Sequence, residues 1–288
     1  MTTHRRPVAT RGGDVLVRGQ TGHDGTVSAG VPVKRIYRGE LGQVNFEPTN
    51  RVFRTLVPVV HRLARLLTKT HTWHGGENLP ATGPVIIVPN HISSLDPVMV
   101  GEFLAYNGRW PHFLARANLF YLPVLGRLLR SAEQIPVHRG GRHARDALFE
   151  AERALYAGEV IVIYPEGTIT FDPDEWPMAA HTGAARLALA TGAPVIPIGQ
   201  WGASIAVPPR GIRPFKLQRA PITIECGSPI DLSDFLGQPD TPQVVRAASV
   251  RIMDAITAQV ELARGAKAPE GRWQPRLKRR VARVEALS

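Results

Sequence analysis

The chain has 288 residues, 43% of them hydrophobic, with one cysteine and a formal net charge of +11. That length suits one large domain or two small ones, and the hydrophobic share excludes wholesale disorder, a collagen-like repeat and a multi-span membrane protein. A single cysteine, Cys226, closes no internal disulfide and builds no Cys-based zinc site, which favours a reducing compartment.

The charge is concentrated at the two ends. Residues 1–80 carry a net +7 and residues 264–288 a net +6, whereas residues 81–263 carry −2. An excess placed this way points to nucleic acid or an anionic membrane surface as partner, with a plain solvated tail as the alternative.

In chain order, residues 1–45 are poor in aromatics, rich in Gly, Thr and Arg, and without sustained periodicity, so they read as a disordered basic arm. They contain no contiguous apolar stretch of the kind a signal peptide requires. The body, 46–265, opens with an amphipathic helix over 51–69. Val52, Leu56, Val59, Val60, Leu63, Leu66 and Leu67 fall on one face and Arg51, Arg54, Arg62, Arg65 and Lys69 on the other, with Pro58 kinking or starting the regular part. Such a helix can lie in a membrane interface or pack on a core as an ordinary surface helix.

Short apolar runs bounded by Gly or Pro then predict buried strands at 85–88, 112–115, 134–137, 161–164, 195–198 and 222–226. Helical patterns occupy 94–105, 118–130, 142–156 and 179–190, and a longer one, 241–264, presents Val245, Ala248, Ile252, Ile256 and Val260 inward. This alternation predicts an α/β domain with a mixed, largely parallel sheet flanked by helices. The uncharged run from Leu187 to Pro209 is long enough to span a bilayer, but its four prolines and three glycines break it, so no transmembrane helix is expected. Residues 266–288 read as a basic, flexible tail.

Two segments follow directly on predicted strands, where open α/β sheets place their ligands. The first runs Asn90-His91-Ile92-Ser93-Ser94-Leu95-Asp96 and the second Tyr164-Pro165-Glu166-Gly167-Thr168. If the first turn folds back, Asp96 accepts the imidazole Nδ1–H of His91, fixes its tautomer and leaves the other nitrogen to take a proton. Alternatively, His91 bonds locally and Asp96 complements the dipole of the following helix. Glu166-Gly167-Thr168 can be a simple turn, or a place where backbone meets an anionic ligand. His71 and His74 have no third ligand nearby, so no metal site is expected there. Trp110, Phe113, Phe120 and Tyr121, with Leu119, Leu122, Val124 and Leu125, are either core or an apolar rim for a lipid tail.

Taken together, the two segments resemble the glycerolipid acyltransferase family, which has an Asn-His-x4-Asp block and a Phe/Tyr-Pro-Glu-Gly-Thr block in this order. Gly126–Arg139 resembles the second block of that family and Val195-Ile196-Pro197-Ile198 the fourth, so the likeness covers about residues 70–230. The resemblance implies a glycerol-3-phosphate acyltransferase-like fold and acyl transfer from acyl-CoA or acyl-carrier protein to the hydroxyl of lysophosphatidic acid. Glycerol 3-phosphate or another lysophospholipid is the alternative acceptor. It implies His91 as general base and Asp96 as its orienter, with no acyl-enzyme and no cofactor. Asn90, Arg116, Arg139, Glu166, Gly167 and Thr168 would bind substrate, Arg139 holding the acceptor's phosphate and Glu166 a hydroxyl or a cation. Where many members have a basic residue after Glu-Gly-Thr, this chain has Ile169, and His181 stands in place of a common lysine. Arg116, Arg139 and Arg186 could supply the missing charge. The implied setting is peripheral, on the cytoplasmic face of the cell membrane. Nucleic acid is not an expected partner, because the body is slightly acidic and holds no recognised nucleic-acid module.

Overall fold

A computed structural model describes residues 51–138, 142–209, 219–283 and 285–286. The predicted basic arm, 1–45, lies outside them. The elements in chain order are α1 (Arg51–Leu67), β1 (Thr68–His74), β2 (Val85–Pro89), α2 (Asp96–Tyr106), β3 (Pro111–Arg116), a 3-10 turn (Ala117–Tyr121), α3 (Pro123–Ser131) and β4 (Ile135–Val137). They continue with α4 (Arg142–Tyr156), β5 (Val160–Val162), α5 (Gly183–Thr191), β6 (Val195–Trp201), α6 (Ala203–Ala206), β7 (Ala220–Cys226), α7 (Pro242–Arg264), β8 (Arg272–Gln274) and β9 (Arg279–Val281).

Seven strands form one sheet in the order β1-β7-β6-β2-β5-β3-β4. Pairing is parallel except between β6 and β7. The central strands read as continuous Val/Ile runs because helices cover both of their faces. On one face Ile86, Val88, Ile161 and Val195 pack against α4, α5 and α7. On the other, Val85, Ile87, Val160, Val162 and Ile196 pack against α2 and Ala64 of α1. Each such side chain contributes on the order of 1.5–3 kcal/mol by leaving water. The long helix α7 has standard ends: Thr241 Oγ1 accepts from Val244 N at 3.3 Å, Pro242 occupies the first turn and Gly265 closes the helix in the left-handed region. It approaches β6 so closely that a Cβ on Gly199 would lie 2.2 Å from the Gln259 backbone.

The helix over 51–67 runs through Pro58, and its packing differs from its apolar stripe. Ala64 is buried, Val57 packs against the same cluster, and His61 pairs with buried Glu102 of α2. Val59, Leu63 and Leu66 are turned outward, 51%, 58% and 67% exposed. The helix therefore docks through its small and polar face and leaves part of its apolar stripe bare.

Two elements correct the sequence reading. Thr68–His74 is a strand, and its first two residues were expected to end the preceding helix. Its buried polar groups bond one another: Thr68 Oγ1 and His71 Nε2 lie 2.7 Å apart, and His71 Nδ1 stands 3.5 Å from Glu102. Within residues 266–288, predicted to be flexible, β8 and β9 pair as an antiparallel hairpin. Its arginines find carboxylates on the body: Arg272 and Arg283 bond Asp254, and Arg280 bonds Asp172 and Asp174. The charge that made the segment look solvated is what docks it.

Candidate active site

The strand order places the site. After β2 the chain crosses to β3 and β4, and after β5 it crosses back to β6 on the other side of β2. The carboxyl ends of the adjacent parallel strands β2 and β5 thus open a crevice at a topological switch point. The register pairs Ile87 with Val162, and Ile163 N donates to Ile87 O at 3.0 Å. Two segments 75 residues apart in sequence therefore leave the sheet side by side.

His91 Nδ1 lies 2.8 Å from Asp96 Oδ2. The same oxygen accepts from Ile92 N at 2.6 Å and Ser93 N at 2.8 Å, so the carboxylate folds back over the turn. The His91–Asp96 bond of the first sequence alternative is present, and Asp96 also stands in the first turn of α2 as the second described. Asp96 is fully buried, and desolvation raises its pKa against the lowering effect of His91 and the two amides. The His91 side chain is 16% exposed, and its Nε2 has no hydrogen-bond partner among the described residues. The ring stacks on Tyr164 with centroids 4.3 Å apart. Burial and the Asp96 charge hold the Tyr164 phenol well above its ordinary value.

The backbone of His91 is held at both ends. Its N–H donates to Glu166 Oε1 at 3.0 Å, and its carbonyl accepts from Thr170 N at 2.8 Å. Glu166 Oε2 accepts from Met178 N at 3.0 Å. Glu166 is 2% exposed, and burial pushes its pKa up to about 8. The sequence reading assigned Glu166 to substrate hydroxyls or a cation. The structure instead bonds both of its oxygens to the protein's own backbone.

Asn90 is likewise committed internally. Its side chain is buried, donating to Gln200 O at 3.1 Å and accepting from Gln200 N at 2.8 Å, while Gln200 Nε2 donates to Asn90 O at 2.9 Å. It fastens the end of β2 to β6 and presents no free polar group to a substrate. Arg116, at the carboxyl end of β3, is exposed and donates to Thr168 Oγ1 at 2.9 Å, so these two form a polar rim. Gly167 adopts φ +66°, and a Cβ there would meet the His181 ring at 2.8 Å. Arg186 pairs with Asp240 at 3.1 Å. Arg139 lies outside the described residues. Of the candidate apolar rim, Trp110 and Phe120 are core, whereas Tyr121 and Val124 are 78% and 80% exposed beyond β3.

Sequence reasoning missed Tyr164, Thr170 and Gln200. A usable signal existed for Gln200, a glutamine within an otherwise apolar strand. Among the described residues, one trio could hold a cation, His112, Glu133 and Glu159. His112 and Glu159 stand at the amino-terminal ends of β3 and β5, opposite His91.

Residues 71–201 match the sequence model of the Acyltransferase family. A chloroplastic 1-acyl-sn-glycerol-3-phosphate acyltransferase of Brassica napus is 31% identical over 136 residues, 46% of this chain and 38% of the relative. A 1-acyl-sn-glycerol-3-phosphate acyltransferase of Borreliella burgdorferi is 32% identical over 126 residues, 43% of this chain and 48% of the relative. The chain thus spans less than half the length of these curated relatives. In three dimensions it shares the fold of the 1-acyl-sn-glycerophosphate acyltransferase of Thermotoga maritima, with TM-score 0.56 and 18% identity over 82% of this chain and 94% of that one.

Proposed function

We propose that this chain, whose residues 71–201 match the Acyltransferase family model, transfers a fatty acyl group from acyl-CoA or acyl-carrier protein to the hydroxyl of lysophosphatidic acid, giving phosphatidic acid. The observation that carries the reading is the His91–Asp96 pair, with Nδ1 bonded to a buried carboxylate and Nε2 left for a substrate.

The chemistry needs no residue nucleophile. Nε2 of His91 takes the proton of the acceptor hydroxyl as that oxygen attacks the thioester carbonyl carbon. The tetrahedral adduct then collapses, the C–S bond breaks, and the thiolate leaves with the proton from the imidazolium. Asp96 holds the reactive tautomer and stabilises the imidazolium, and such positioned base catalysis contributes about 10²–10⁴-fold. Arg116 on the rim is a guanidinium suited to the acceptor's phosphate through paired charge-assisted bonds. No cofactor is required beyond the thioester.

The enzyme would work from a membrane surface, on the cytoplasmic face. No helix of the described residues is long and apolar enough to cross a bilayer. The bare Val59, Leu63 and Leu66 of α1, beside Arg62, supply an apolar stripe with a neighbouring cation for interfacial docking.

The test is acyl transfer by the purified chain on a panel of lysophosphatidic acid, glycerol 3-phosphate and other lysophospholipids, with acyl-CoA and acyl-carrier protein as donors. Lysophosphatidic acid should be acylated and His91→Ala should abolish turnover. Acylation of another panel member alone would transfer the reading to that acceptor, an outcome that Ile169 in the usual basic position makes worth measuring. Silence across the panel, or full turnover by His91→Ala, would refute it.

A further inference from the structure

We propose that the β8–β9 hairpin belongs to the catalytic apparatus: it straps the 166–178 loop in the arrangement that holds both backbone groups of His91, and Arg280 is a positioning residue for that base. The inference rests on the reading of His91 given above. It extends that reading to a segment beyond the matched region, residues 71–201.

Two chains of hydrogen bonds run from the hairpin to His91. In the first, Arg280 Nη2 donates to Asp172 Oδ1 and Oδ2 at 2.7 and 2.8 Å, and to Asp174 Oδ2 at 2.9 Å. Asp172 N donates to Thr170 Oγ1 at 3.2 Å, and Thr170 N donates to the His91 carbonyl at 2.8 Å. In the second, Ala179 N donates to Trp273 O at 2.9 Å. The neighbouring Met178 N holds Glu166 Oε2, and Glu166 Oε1 holds the His91 N–H. The carbonyl of His91 is thus reached by one route and its amide by the other.

The loop has reason to move if the strap is lost. Without Arg280 the loop loses its bonds to the hairpin at Asp172 and Asp174, and the Asp172 side chain, 1% exposed, keeps only the Asp174 N–H at 2.8 Å as a donor. Turning the loop outward would hydrate it and draw Thr170 away from His91. The strap is itself anchored. Arg272, 3% exposed, bonds Asp254 of α7 at 2.6 Å. Val281 and Ala286 pack on Ala179. From the body side, Arg264 lies between the rings of Trp176 and Trp201, 4.1 and 3.9 Å from their centroids, and donates to Asp174 O. Burial lowers the Arg272 pKa, and the Asp254 carboxylate acts against that.

The experiment uses the full chain with Arg280→Ala, Arg280→Lys and the double variant Asp172→Asn/Arg280→Ala. Amide hydrogen exchange and steady-state acyl transfer are measured on each. In Arg280→Ala, exchange across 166–178 and at His91 should rise about tenfold or more while the β2, β5 and β6 amides stay protected. Its kcat should fall about 10–100-fold with the acceptor KM within about twofold, as expected for a misplaced base. Arg280→Lys should recover most of both. The double variant removes the buried charge as well, so it should fold stably yet keep the low kcat and the fast loop exchange. The proposal is overturned if Arg280→Ala leaves loop exchange unchanged, or if the double variant regains parental kcat and protection, which would reduce Arg280 to charge neutralisation. If the parental chain transfers no acyl group, the functional reading fails, and the exchange data still decide whether the hairpin holds His91.

Discussion

Replacing Glu166 with glutamine separates its two properties, two accepted backbone bonds and a buried ionisable group. Glutamine keeps one acceptor oxygen and turns its amide toward the other donor, so either His91 N or Met178 N loses its bond. A buried N–H left unpaired costs about 1–3 kcal/mol, independent of pH. The ionisable part behaves differently. Burial raises the Glu166 pKa from 4.5 to about 8, so between those values the folded chain binds a proton that the unfolded chain has released. Its contribution to stability is complete below pH 4.5 and declines by about 1.4 kcal/mol per pH unit, up to about 4–5 kcal/mol, levelling off above about pH 8. The parent should therefore be the more stable protein near about pH 5, and the gap should close and reverse by about pH 8. Urea unfolding followed by circular dichroism across that range measures it. Asp96, also raised by burial, is present in both proteins, and its charge is one of the causes that raise Glu166. A difference that stays constant across the range would refute the assignment of Glu166 as a buried acid with a strongly raised pKa.

Asp96→Asn should lower kcat about 10²–10⁴-fold in the acyl-transfer assay, because Nδ1 of His91 loses its charged partner; a loss under about tenfold would contradict its role. Leu63→Glu with Leu66→Glu should weaken cosedimentation with anionic vesicles while shifting urea stability by no more than about 0.5 kcal/mol, since both side chains are exposed. Undiminished vesicle binding would assign docking to another surface. Gly167→Ala should cost about 1–2 kcal/mol from its left-handed backbone alone, with a further cost for displacing His181, and thermal unfolding would read the loss.

Much of the fold was legible because the central strands are buried on both faces. Val85–Val88 and Val195–Ile198 stand out as uninterrupted apolar runs, and α7 shows its stripe together with its cap and its closing glycine. The hydrogen-bonded His91–Asp96 pair was legible for a local reason: five residues of turn are enough to bring Asp96 back to His91. β1 was hidden because its inward residues include Thr68 and His71, whose burial depends on Glu102 from a helix far along the chain. For Glu166 the sequence suggested a substrate hydroxyl or a cation, and the structure shows both of its oxygens accepting from backbone amides. A carboxylate after a strand suggests a ligand, and only the packed loop reveals that two backbone amides already occupy it.

The sequence alone located the two strand-ending motifs in a near-neutral body and showed that basic charge gathers at the ends. Tertiary structure decided what that charge does. Arg272, Arg280 and Arg283 pair with Asp172, Asp174 and Asp254, so part of the carboxyl-terminal excess serves internal docking. It also decided which side of α1 meets the body: His61 pairs with buried Glu102 and Leu63 is left exposed. Helical periodicity defines faces, and charge counts define sums. The choice of neighbour for a face or an ion depends on which buried polar groups must be satisfied, and those groups come from distant parts of the chain.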